Sequence, residues 1–250
     1  MDFLEEETLL DACILAGKIL MENGAEMHRV EDTMNRILDT KLGEGEAVSF
    51  VIPTGIFVTT RFGKNTKMKR IVKRRNNLQQ ISNVNALSRQ FSQGLLTTDE
   101  LYECIVALEE HALSYPYTLQ IVAAGILSSF MMLIFQGDIK DFLITAIISS
   151  LGYALYLLSV QTIKARFIQE FIATFAIGIL AGLFDQLGLI QQFDTVLIGS
   201  IIILVPGIPI TNSIRDFLVG NTISGTVFML EALLIAGMIG AGAMTSLYFF

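Results

Sequence analysis

Pro206, Gly207, Pro209, Thr211, Asn212, Arg215 and Asp216 crowd into one short stretch at the end of a long apolar run. A proline removes a backbone donor and clashes with the preceding helical turn. Two prolines flanking a glycine therefore predict a broken helix, with free carbonyls before the break and free N–H groups after it. In hydrocarbon, such backbone is tolerated only where protein buries it or where it lines a wet cavity. That makes the break a candidate solute-binding site. Pro209 suits the first position of a new half-helix. The positive end of that half-helix would face a carboxylate, with Thr211 and Asn212 adding side-chain hydrogen bonds. A simple proline kink is the competing reading.

The neighbouring charges fit the same chemistry. Ionisable groups inside a bilayer are costly unless paired or hydrated, so Arg215, Asp216 and Glu231 are candidates for setting local charge or carrying a coupling proton. Asn212 and Asp216 lie four apart on one helical face, whereas Arg215 points elsewhere. If the helix stops near Ile214, Arg215 and Asp216 are only interfacial. Glu231 falls well inside the next apolar run and is the stronger proton carrier. A second charge-dense stretch covers Glu26, His28, Arg29, Glu31 and Asp32. Surface pairs such as Arg29 with Asp32 and Asp32 with Arg36 explain it cheaply. It lacks a nucleophile, and no catalytic residue is expected. His28 and His111 are the only histidines, too few for a histidine-rich metal site. No phosphate-binding loop of the G-x-x-x-x-G-K-[ST] type occurs. No cofactor or metal is expected.

These residues need a scaffold, and its composition is uneven. The chain has 250 residues, 52% of them hydrophobic and 16% charged, well below the roughly 25% charge of soluble domains. Residues 1–116 hold 13 of the 17 basic and 17 of the 24 acidic residues. A soluble-looking half thus precedes a membrane half. Neither half is net basic, which argues against a nucleic-acid partner. Cys13 and Cys104 form no metal or redox motif and suit a reducing compartment. The acidic Glu5-Glu6-Glu7 run is unlike a cleavable signal peptide.

The expected fold class is an α-helical integral membrane protein, with five transmembrane helices preceded by a cytoplasmic α+β domain. Residues 1–114 form that domain. Leu9, Ala12, Cys13, Ala16 and Leu20 mark one amphipathic helix, stopped by Asn23-Gly24. Met27, Val30, Met34, Ile37 and Leu38 mark a second, stopped by Gly43-Glu44-Gly45. Alternation over 47–52 and 56–62 predicts two strands around a Pro53-Thr54-Gly55 turn. A Gly63-Lys64-Asn65 turn then leads to a third strand from Met68 to Val72. Leu78, Ile81, Val84, Leu87 and Phe91 predict a third helix. Thr97-Thr98-Asp99-Glu100 reads as a capping box opening a fourth.

The transmembrane domain covers 115–250, with spans expected at 116–136, 142–161, 167–187, 194–214 and 222–247. Gly220, Gly225, Gly237, Gly240 and Gly242 read as close-packing positions. The basic residues before the first span, with Lys164, Arg166 and Arg215, place the N-terminus in the cytoplasm and the C-terminus outside. The expected location is the plasma membrane.

Two blocks together resemble the threonine/serine exporter family. The first runs from Asn23-Gly24-Ala25-Glu26 to Met34. The second is Val205-Pro206-Gly207 through Thr211-Asn212, Arg215-Asp216, Gly220, Ser224-Gly225 and Glu231-Ala232. Single-chain members are similar but about twice as long, so the chain looks like the larger subunit of the split, two-component form. The resemblance implies secondary export of small carboxylate-bearing metabolites, either threonine and serine or a dicarboxylate such as succinate. It also implies a smaller membrane subunit of the same family as partner, with a homo-oligomer as the alternative, in contact with membrane lipid. It gives Glu26, Arg29, Glu31 and Asp32 a gating or docking role. A membrane-tethered enzyme using the soluble domain and a regulatory subunit without its own substrate path are the rival readings.

Overall fold

Helix α1 (Phe3–Glu22) and helix α2 (Met27–Leu42) form because their apolar residues recur every three to four positions. All five residues expected on each inward face are buried. Gly17 leaves room for the Met34 thioether to lie against α1. Cys13 is fully buried and donates its thiol hydrogen to the Met34 carbonyl (3.5 Å). Burial pushes this thiol far up, so it stays protonated and inert.

The structure, a computed structural model, describes residues 3–61, 65–72, 75–110, 115–163, 165 and 167–250. The Gly63-Lys64 part of the second expected turn, His111, Lys164 and Arg166 lie outside the described residues.

Strands β1 (Ala47–Ile52), β2 (Gly55–Thr60) and β3 (Thr66–Arg70) form an antiparallel sheet in the order β1-β2-β3. Ala47, Val51, Ile56 and Val58 pack into the core beside α1 and α2. Helices α3 (Leu78–Ser92) and α4 (Thr98–Glu110) complete this part. The capping box is present. The Glu100 carboxylate accepts from both the N–H (2.8 Å) and the hydroxyl (2.9 Å) of Thr97. Thr97 Oγ1 in turn accepts the Glu100 N–H (3.3 Å).

The apolar half forms α5 (Tyr117–Ile134), α6 (Phe142–Thr162), α7 (Ile168–Gln186), α8 (Phe193–Ile201), α9 (Gly207–Val219) and α10 (Thr222–Leu247). Among the described residues, four helices are long and apolar enough to cross a membrane, or five if α8 and α9 count as one broken span. The expected 194–214 span is thus two helices. A 3₁₀ turn (Ile202–Leu204) follows α8, and Val205 is extended.

The contacts divide the chain into two units. One is Met1–Leu113 with Ile208–Met229, and the other is Ser114–Gly207 with Leu230–Phe250. In the second, Asp141 is fully buried and accepts the backbone N–H groups of Gln191 and Gln192, both at 2.9 Å. This ties the α7–α8 connection to the start of α6. A Cβ at Gly242 would stand 2.6 Å from the Phe171 carbonyl, so α10 and α7 approach closely there. A Cβ at Gly237 or Gly240 would meet nothing within 4 Å among the described residues of the chain.

Candidate functional site

The corner between α1 and α2 is built by its sequence. Gly24 takes φ +90°, which glycine adopts without strain. The Ala25 N–H donates to the Leu20 carbonyl (3.0 Å) and the Gly24 N–H to the Met21 carbonyl (3.4 Å). This is a Schellman cap, and it satisfies the last carbonyls of α1. Asn23 locks the corner, donating to the Ile19 carbonyl (2.7 Å) and accepting from Arg75 Nε (3.0 Å). Glu26 then caps the start of α2, and Arg29 lies on its first turn.

Helix α9 brings the second block to this corner. It starts at Gly207, so Pro209 is its third residue rather than the first of the half-helix. The difference costs nothing, because the first four N–H groups of a helix have no intrahelical acceptor. Asn212 is buried and donates its side-chain amide to the Gly24 carbonyl (3.3 Å). Arg215 pairs with Glu26. The helix continues past Ile214 to Val219, where Gly220 (φ +94°) caps it. Ser213 donates to the Gly225 carbonyl (2.9 Å), joining α9 to the first turns of α10.

Asp216 is fully buried, and neither carboxylate oxygen has a hydrogen-bond partner among the described residues. The fields of Glu26 and Glu31 act on it. Such a group is costly to bury, which marks it as a candidate for work rather than for packing.

A cleft of about 210 Å³ opens between these elements. Leu20, Leu78 and Ile81 give it an apolar wall, and Glu26, Arg29, Asn85, Thr211 and Asn212 supply its polar groups. Arg29 is exposed and makes no ion pair among the described residues. Glu26 Oε2 is buried without a hydrogen-bond partner there and lies 3.6 Å from His28 Nε2. An unpaired guanidinium and a carboxylate with one oxygen outside any hydrogen bond thus sit three residues apart at the start of α2, beside amides from two further helices. That set can hold a small solute bearing one anionic and one cationic group.

The other sequence-selected residues divide clearly. Glu31 accepts the Val51 N–H (3.1 Å), tying α2 to the free edge of β1. Asp32 pairs with Arg36 at 3.0 Å, as expected for residues four apart. Pro206, Gly207 and Glu231 belong to the second unit. Asn85 and Asp141 escaped the sequence reading. Asn85 accepts from Thr33 (3.1 Å) and carries no local motif. Asp141 had one available signal, an acid placed just before an apolar span.

No curated protein and no solved structure matches the chain. The family model for the ThrE threonine/serine exporters matches residues 11–250, which includes both blocks that meet at the cleft. The chain therefore belongs to the threonine/serine exporter family, a family of membrane transporters.

Proposed function

We propose that this chain is the larger subunit of a split secondary exporter in the plasma membrane, with its N-terminus cytoplasmic and its C-terminus outside. Its solute is a small amino acid of the threonine or serine type, received in the cleft between α2, α3 and α9. The observation that carries this reading is that Arg29, which makes no ion pair among the described residues, and Glu26 line one cleft together with Thr211 and Asn212. Arg29 takes the solute carboxylate, and Glu26 takes its ammonium. Asn212 and Thr211 orient it, and Asp216 with Arg215 sets the charge behind the rim. Glu231 carries charge in the second unit. A dicarboxylate such as succinate would bring its second carboxylate towards Glu26, where repulsion opposes it. A smaller membrane subunit completes the path.

Cells expressing both subunits are loaded with labelled threonine, serine or succinate, and efflux is followed. Arg29→Gln should lower threonine efflux about tenfold or more, the value of one charge-assisted hydrogen bond. Membrane levels should stay normal. Unchanged threonine efflux in that variant removes the cleft from the path. Efflux of succinate alone overturns the amino-acid assignment.

A further inference from the structure

The outer face of the sheet carries a second surface, independent of which solute is exported. Register places Phe50 opposite Phe57 and Phe57 opposite Met68, so the three form one row across all strands. The two rings lie 6.2 Å apart. Val48 lies on the same face of β1 as Phe50, and both are more than half exposed, as is Met68. Val72, just past β3, is 73% exposed. Apolar side chains grouped on one exposed face of a sheet mark an interaction surface.

Its charge says what covers it. Residues 61–75 contain eight Lys and Arg and no Asp or Glu, in a chain whose net charge is −7. Some of these are engaged. Lys67 pairs with Asp11 (2.6 Å), Arg61 with Glu46 (2.7 Å), and Arg75 bonds Asn23. Arg70, two residues from Met68 and so on the same outer face of β3, is exposed and makes no ion pair among the described residues, whereas Lys69, opposite the buried Ile56, lies on the other face. An apolar row bordered by an unpaired arginine, within a segment rich in basic residues, matches the interface of an anionic bilayer, with headgroups taking the guanidinium and the acyl boundary taking the rings.

We propose that the outer face of this sheet docks on the surface of an anionic membrane through Phe50, Phe57 and Met68, with Arg70 binding lipid headgroups. A second copy of the chain is the competing occupant.

The chain contains no tryptophan, so Phe50→Trp provides a single reporter. The full chain is placed in nanodiscs of phosphatidylcholine, with and without phosphatidylglycerol, using brominated acyl chains as quenchers. The expected result is a blue-shifted, quenched emission in discs containing phosphatidylglycerol. Both effects should be lost on adding Arg70→Glu, and in molar salt. Leu95→Trp, at an exposed turn between α3 and α4, is expected to stay unquenched. Three results overturn the proposal: no quenching of the Phe50→Trp reporter in any disc, equal quenching without the anionic lipid, or an emission shift that follows the number of chains per disc, which assigns the face to a second copy.

Discussion

Arg215 and Glu26, 189 positions apart in the chain, form an ion pair in which Glu26 is mostly covered and Arg215 is half exposed. The pair joins the N-cap of α2 to the middle of α9. It leaves the other Glu26 oxygen buried and without a hydrogen-bond partner among the described residues, on a side chain that lines the cleft. Its geometry therefore links the holding of α9 to the presentation of the rim.

This link is testable by charge exchange. Glu26→Arg and Arg215→Glu should each reduce threonine efflux strongly. The double exchange should recover part of the Arg215→Glu loss, with a coupling of about 1 kcal/mol in a double-mutant cycle. Thermal stability should change little, because a pair this exposed contributes at most about 1 kcal/mol. Strictly additive losses in the two single variants would show that the pair has no role as a unit.

Asp216 should separate stability from activity. Replacing a buried carboxylate that lacks partners by the neutral amide removes a burial cost. Asp216→Asn is expected to unfold at the same or a higher temperature in detergent while efflux falls at least several-fold. Sites that trade stability for function behave in this way. A variant that is more stable and fully active would make Asp216 a structural residue only.

The α9–α10 hairpin depends on Gly225. A Cβ there would lie 2.9 Å from the Phe217 ring. Gly225→Ala should cost about 1–3 kcal/mol through overpacking, and Phe217→Leu should recover part of it. Gly240→Ala, with open space around it, should be tolerated. Equal melting temperatures for the Gly225 and Gly240 variants would contradict this contrast.

The capping box sets a pH dependence for α4. The Thr97 backbone N–H, and after it the hydroxyl, hold Glu100 below its ordinary value of 4.5. A lowered folded-state value stabilises the fold above 4.5, and that contribution is lost as pH falls through the lower value. Glu100→Gln should therefore lower the melting temperature at pH 7. The gap between wild type and variant should close once the pH is well below 4.5. A gap that persists unchanged in acid would assign the effect to packing.

Helix faces in the N-terminal half were readable because one side of each helix is almost purely apolar, as in Met27, Val30, Met34, Ile37 and Leu38. The helix break was readable because Pro206, Gly207 and Pro209 leave few alternatives. The sheet was less so. Strand β1 alternates Ala47, Ser49 and Val51 with Val48, Phe50 and Ile52, and hydrophobicity alone would bury the second set. The smaller set is inward instead, where Ser49 donates to Asn35 (2.7 Å) and Val51 bonds Glu31. The meeting of Gly24 and Glu26 with Asn212 and Arg215 has no local signature, since it arises from packing between distant helices. Asp141 was hidden for a similar reason. Its partners are backbone amides, which any residue could supply.

Phe228 shares one apolar core with Leu9, Val84 and Phe91. A polypeptide truncated after residue 113 would lack that ring and the whole of α9, exposing a hole and the unclasped Gly24 corner to water. Exchanging N-terminal regions between relatives should accordingly succeed only when residues 208–229 travel with them, as one inherited piece of hardware in two lengths of chain.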